Sequence, residues 1–169
     1  MKRVAILCLM LALAVVCSCG YHLGGLKRSS MKDLDTFCVD MFHNYTVYPN
    51  VSMQLTTALA DQLQRDGTYR MAAADKADFT VSGAVRSVYA VGLRTNPDDT
   101  YLSSEIGLVA VVSFTVTNNR TGQKVYSGDV RGEGSYFNDE GNVQTARDTA
   151  LSYATRRAAE LIVQALTIP

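Results

Sequence analysis

Few side chains in this sequence are placed to do chemistry, and the clearest of them stand near its start. Val16-Cys17-Ser18-Cys19 sets an aliphatic residue, a tolerant position and a small residue ahead of a cysteine, the order found in a bacterial lipobox. In such a motif the cysteine is lipidated and becomes the new N-terminus. Cys19 is the acceptor, because Cys17 would leave the bulky Val16 before the cut, where a small residue is expected. The chemistry is anchoring. Each buried methylene of an acyl chain contributes about 0.8 kcal/mol, so one chain holds marginally and two or more hold stably. Gly20 follows the cysteine, whereas an aspartate there favours retention in the inner membrane; the sequence points to the outer membrane.

Other reactive constellations are missing. His22 and His43 are the two histidines, and neither stands in a Cys/His or Asp/His cluster with metal-ligand spacing, so no metal is expected. There is no Gly-x-Ser-x-Gly. The Gly128, Gly132, Gly134 series lacks the lysine and following helix of a phosphate loop. No catalytic residue, cofactor or enzymatic activity is expected. Cys8 and Cys17 depart with the leader and Cys19 is acylated, which leaves Cys38 unpartnered; an apolar strand around it predicts a buried, inert thiol. Asn-x-Ser/Thr triplets begin at Asn44, Asn50 and Asn119 and are chance matches in a bacterial lipoprotein.

The elements that carry these residues follow from charge and periodicity. Lys2 and Arg3 precede an uncharged run from Val4 to Val16, the layout of a signal peptide over 1–18. That run is shorter than the roughly 20 residues a membrane-spanning helix needs. Residues 19–32 read as the lipidated N-terminus and a tether, and 33–169 as one domain. Without Lys2 and Arg3 the chain carries 14 basic against 16 acidic residues, so a nucleic-acid partner is not implied.

Alternation from Thr36 to His43 predicts a first strand, with Phe37, Val39 and Met41 on one face and Cys38, Asp40 and Phe42 on the other. Val51, Leu55, Ala58, Leu59 and Leu63 fall on one side of a helix that Asn50 or Ser52 caps and Gly67 ends. Phe79 to Arg94 predicts a long half-buried strand whose odd positions Phe79, Val81, Val85, Tyr89, Val91 and Leu93 face inward. Asn96-Pro97-Asp98-Asp99 breaks it. Leu108 to Val116 is apolar on both faces and predicts a central strand covered on two sides. A hairpin at Asn118 to Gly122 returns as Lys124 to Phe137, where the glycines predict a bulge or a close approach. Val143 to Leu166 is the last helix. Its stripe of Val143, Ala146, Ala150, Ala154, Ala158, Leu161, Ile162 and Ala165 lies on the sheet, and Asn142 or Thr145 caps it. The order β-α-β-β-β-α predicts an α+β two-layer sandwich, with two helices on one face of a four-stranded mixed sheet.

Cys19-Gly20-Tyr21-His22-Leu23, together with Arg156-Arg157-Ala158-Ala159-Glu160-Leu161-Ile162 in the last helix, resembles the LptE family of LPS-assembly lipoproteins. The resemblance implies two helices on a four-stranded sheet. It also implies a plug inside the large outer-membrane barrel LptD, which the lipoprotein helps to assemble, and contact with lipopolysaccharide. Some relatives carry a polar C-terminal tail, whereas this chain ends at Pro169. Phosphates of such a ligand call for arginine or lysine. Arg94 and Arg147, at one end of the expected sheet, are the first candidates. Arg120 and Lys124, in the hairpin at the other end, come second. The alternative reading is an envelope lipoprotein acting as structural adaptor for another outer-membrane or periplasmic complex.

Overall fold

The computed structural model describes residues 26–95, 103–137 and 142–167. Cys19, the leader and the Asn96-Pro97-Asp98-Asp99 loop lie outside the described residues. Within them run β1 (Thr36–Val39), β2 (His43–Asn44), α1 (Val51–Asp66), β3 (Arg70–Met71), β4 (Phe79–Thr95), β5 (Ser103–Asn118), β6 (Lys124–Phe137) and α2 (Val143–Thr167). They form one mixed sheet in the order β3-β1-β4-β5-β6, with β2 also paired to β4. The class is the expected one, but six strands replace four because β2 and β3 are two-residue additions. The strand β1 is parallel to β4, and the β4-β5-β6 meander is antiparallel. The two helices lie side by side over one apolar cluster that includes Phe37, Phe79, Val81, Leu108 and Val112.

In α1, Val51, Leu55, Leu59 and Leu63 are fully buried, each contributing about 1.5–3 kcal/mol. Gly67 ends the helix at φ 74°, its N–H bonding the Leu63 carbonyl. The start differs from expectation. Asn50 sits at the cap position with φ −98° and ψ 1° and makes no side-chain cap, since that backbone is outside the extended conformation a cap requires. Ser52 lies inside the first turn, its carbonyl accepting from the Thr56 hydroxyl.

Two irregularities change which side chains face inward. Val39 pairs with Val81 but His43 pairs with Ala84, so four steps on the edge match three on β4. The expected single strand is broken at 40–42. Phe37 and Phe42 both point into the core, Met41 is exposed, and Cys38 is half-buried rather than buried. Burial still pushes the Cys38 thiol pKa up, assisted by the charge of Asp40. The second irregularity is in β4, where Val85 pairs with Val112 and Ser87 with Val111. Arg86 is the extra residue of a bulge, and one inserted residue inverts the faces that follow it, here as far as Gly92, where the register shifts again. Val88 then packs on the core, while Tyr89, Val91 and Leu93 turn out to solvent.

The inner face of β5 carries the buried Leu108, Ala110, Val112, Phe114 and Val116. Among the described residues no helix lies over its outer face, where a two-sided cover is expected. Val109 is nonetheless buried there, flanked across the ladder by Tyr89 and Glu133. In β6 the glycines mark a close approach. A Cβ on Gly132 would stand 2.0 Å from the Ala154 carbonyl oxygen, and one on Gly134 would stand 2.2 Å from that of Ala150. The backbone of α2 therefore rests directly on β6. The stripe of α2 also differs in one member: Leu161 is half-buried, whereas Ile162, Val163 and Leu166 are buried.

The segment read as a tether packs from Lys27 onward. Lys27 pairs with Asp35. Arg28 donates to the Ala165 carbonyl at 2.8 Å and stacks over the Tyr126 ring, and Met31 is fully buried. Tyr69 donates to the Leu166 carbonyl at 3.1 Å, and burial raises its pKa to about 12.

Candidate functional site

The antiparallel meander sorts the four candidate cations to the two ends of the sheet. Arg94 pairs in register with Glu105 at the start of β5, which faces Phe137 at the end of β6. Arg147, in the second turn of α2, lies toward the same end through its contact with Tyr136. Arg120 and Lys124 flank the β5–β6 turn at the far end. The expected grouping is thus the observed one, although the two groups are not equivalent chemically.

Arg94 keeps most of its side chain in solvent, 72% exposed, with Nε 3.9 Å from Glu105 Oε2. Glu105 also accepts from the Ser135 hydroxyl at 3.0 Å. So exposed an ion pair contributes little by itself, and the exposure leaves the side chain within reach of an incoming anion. Arg147 is more constrained. It donates to the Tyr136 side chain, and that bond foremost, with the Asp148 carboxylate also contributing, raises its pKa further. It lines a groove of about 480 Å³ with Tyr48, Asn50, Gln54, Gln144 and Asp148. The Gln54 Oε1 is buried without a hydrogen-bond partner.

At the far end Arg120 is a structural clasp. Its Nη2 lies 2.9 Å from Asp78 Oδ1. Asp78 Oδ2 accepts from the backbone N–H groups of Asp35 and Thr36 at 3.0 Å and from the Thr36 hydroxyl at 2.9 Å. One carboxylate thus ties the entry to β1, the entry to β4 and the hairpin together. These bonds, that from the Asp35 N–H foremost, hold its pKa at about 2 instead of 3.8. Because the folded value lies below the unfolded one, this stabilisation is full above about pH 4 and fades as pH falls toward 2. We expect Asp78→Asn to cost about 2 kcal/mol at neutral pH, with the gap from wild type closing toward pH 2 in urea unfolding. A gap independent of pH would contradict this role. Lys124 is exposed.

Sequence periodicity missed two features of the outer sheet face. One is a trough of about 460 Å³ lined by Tyr89, Val91, Leu93, Gly107, Val109 and Glu133. It exists because the bulge at Arg86 turns β4 over, and Val91 and Leu93 lean across Gly107, where a Cβ would meet them at 2.9 and 3.2 Å. The other is Arg86 itself, stacked over the Tyr45 ring and bonding Ser113 Oγ at 3.2 Å. Only the pairing register reveals either. Among the described residues, no three His, Cys, Asp or Glu side chains are placed to hold a metal.

A family model described as "Lipopolysaccharide-assembly", LptE, matches residues 34–166, which takes in both helices and the whole sheet. The chain belongs to the LptE family. This LptE-family lipoprotein is similar in fold to several solved structures. A Xanthomonas campestris protein matches at TM-score 0.61 and 10% identity, covering 88% of this chain and 89% of that one. The PelC dodecamer subunit of Paraburkholderia phytofirmans matches at 0.54 and 19%, covering 85% and 95%. A minor lipoprotein of Acinetobacter baumannii matches at 0.51 and 15%, covering 80% and 94%. Identities this low establish the fold alone. No curated protein sequence matches the chain.

Proposed function

We propose that this LptE-family lipoprotein is a non-enzymatic subunit of the lipopolysaccharide export machinery. It sits as plug and assembly partner in an LptD-like outer-membrane barrel, is anchored on the periplasmic side through acylated Cys19, and contacts lipopolysaccharide. The observation that carries this reading is the family match over 34–166, which spans the whole sheet and both helices up to Leu166 rather than a shared fragment. The apolar trough on the open sheet face supports a protein partner, because a contiguous exposed patch of this kind is a contact surface more often than bare exterior. The test is affinity purification of the tagged chain from detergent-solubilised outer membranes. A large β-barrel recovered in stoichiometric amount is the expected result, and a different complex would favour the adaptor reading.

The anchor has its own test. Cys19→Ala is expected to yield an unprocessed precursor or a soluble species. Normal maturation with full membrane retention would exclude acylation at this position.

Lipopolysaccharide phosphates meet Arg94 and Arg147 first in this reading, with Arg120 and Lys124 second. Arg94 is the more exposed of the first pair, and Arg147 donates to Tyr136. Changing both to Glu replaces two attractions by two repulsions. Binding of purified lipopolysaccharide is expected to fall at least tenfold, about 1.4 kcal/mol. Undiminished binding by a folded variant would place the ligand surface elsewhere.

A further inference from the structure

The groove of about 480 Å³ between the start of α1 and the first turns of α2 has a lining of two kinds. One is apolar: Val47 and Pro49, with Tyr48 half-buried and Leu151 buried. The other consists of planar polar groups, the amides of Asn50, Gln54 and Gln144, the guanidinium of Arg147 and the carboxylate of Asp148. Its volume falls within the range of small-molecule sites, about 300–1,000 Å³.

Much of that polar lining is not used by the fold. Asn50 stands at the cap position of α1 but makes no cap, nor any side-chain hydrogen bond with a described residue. Gln54 Oε1 is buried and has no partner among the described residues, an arrangement that folding alone disfavours. Arg147 gives a bond to Tyr136, which leaves most of its N–H groups to spare. Gln144 Nε2 lies 3.3 and 3.4 Å from the two carboxylate oxygens of Asp148, and those oxygens keep further lone pairs. Donors and acceptors are thus offered together. With Arg147 and Asp148 as its charged members, the lining is near neutral.

This combination selects among ligands. A phosphate dianion carries only acceptors, so it would leave Gln54 Oε1 unpaired and meet Asp148 with like charge; a phosphate on Arg147 therefore lies outside the groove. A metal cation would find a single carboxylate beside a guanidinium. An acyl chain would strand every polar group. A sugar ring meets both kinds of lining. Each hydroxyl donates and accepts, neighbouring hydroxyls match planar amide, guanidinium and carboxylate groups in pairs, and the C–H face of the ring covers apolar surface such as Tyr48 and Pro49. We propose that this groove binds a neutral pyranose, with Gln54 Oε1 accepting from one hydroxyl and Asn50 and Arg147 donating to its neighbours. Gln54 also lines a second groove of about 380 Å³ between the helices, with Gln62, Arg65, Ser152 and Arg156, so a second unit of an oligosaccharide can follow the first. The groove stands on its own geometry. Only the expectation that the sugar belongs to lipopolysaccharide rests on the export reading.

The test is saturation-transfer NMR and calorimetric titration of the full chain, in a detergent without a sugar headgroup. The probes are a deacylated, dephosphorylated core oligosaccharide of lipopolysaccharide, the peptide-free disaccharide of peptidoglycan, and inorganic phosphate. The core oligosaccharide is expected to bind saturably and to resist displacement by phosphate. Binding of the peptidoglycan disaccharide in its place would uphold the groove as a sugar site and change the source of the sugar. Gln54→Leu is expected to weaken binding tenfold or more while melting no lower than wild type, because it removes an acceptor that the fold leaves unpaired. Asn50→Ala, which loses no side-chain cap, is expected to weaken binding likewise at an unchanged melting temperature. Failure of both sugars to bind, displacement of the sugar by phosphate, or wild-type affinity in both variants would overturn the proposal. So would a destabilised Gln54→Leu beside an Asn50→Ala that binds as wild type. A chain that binds sugar but recovers no barrel from membranes would sink the export reading alone, and one that recovers the barrel but binds neither sugar would sink the groove alone.

Discussion

Gly132→Ala is expected to cost more than 3 kcal/mol, beyond the usual range for overpacking a core. The added methyl would lie 2.0 Å from the Ala154 carbonyl oxygen, 2.5 Å from the Ala158 nitrogen and 2.8 Å from the Ala158 Cβ. Two of these are backbone atoms of a continuous helix, so no side chain can rotate out of the way. The helix would have to lift off β6, and Ala150, Ala154 and Ala158, buried along that contact, would lose their packing with it. For a domain of this size, each 1 kcal/mol moves the melting temperature by about 2–4 °C. Gly128→Ala is the control: its methyl meets the Phe114 ring at 3.3 Å, a contact that ring motion can relieve. Equal melting temperatures for the Gly132 and Gly128 variants would mean that α2 does not rest on the strand as described.

The second large effect separates two adjacent residues of α2. Ile162 is fully buried and Leu161 is half-buried, so Ile162→Ala is expected to cost about 2–5 kcal/mol. Leu161→Ala, removing a side chain that already meets water, is expected to cost less than half as much. Chemical denaturation of both variants checks the order. A reversal would rotate the helix by about 100° relative to its placement here.

Those two residues also show where sequence reasoning reached its limit. The helix itself was legible because twenty-odd residues of alanine-rich periodicity without Gly or Pro have few alternatives. Which of two neighbouring apolar residues faces the sheet depends on the rotation of the helix, and that is set by Gly132 and Gly134 on another strand. The same reason explains the outer face of β4. Alternation from Phe79 through Leu93 falters at Ser87 and Val88, but a two-residue defect does not by itself announce a bulge, so Tyr89, Val91 and Leu93 read as core and are surface. Strands β2 and β3 are too short for any period to show. For the candidate site, the ends of the sheet were legible from antiparallel order alone. The difference between an exposed Arg94, a tethered Arg147 and a clasped Arg120 was not, because it rests on Glu105, Tyr136 and Asp78, none of which is near its partner in sequence.

The bulge gives β4 something like a reading frame. Upstream of Arg86 odd-numbered residues belong to the interior, and from Ser87 to Gly92 they belong to the exterior, so a single residue sets two stretches of one strand in opposite phase. Deleting Arg86 would not merely lose a charge. It would return the downstream half to the upstream phase, drawing Tyr89, Val91 and Leu93 beneath the helices and expelling Val88, erasing the trough without touching any residue that lines it. Point substitutions along this strand are therefore a gentle form of variation compared with a one-residue indel, which rewrites the surface wholesale. Length in this segment is under tighter constraint than identity.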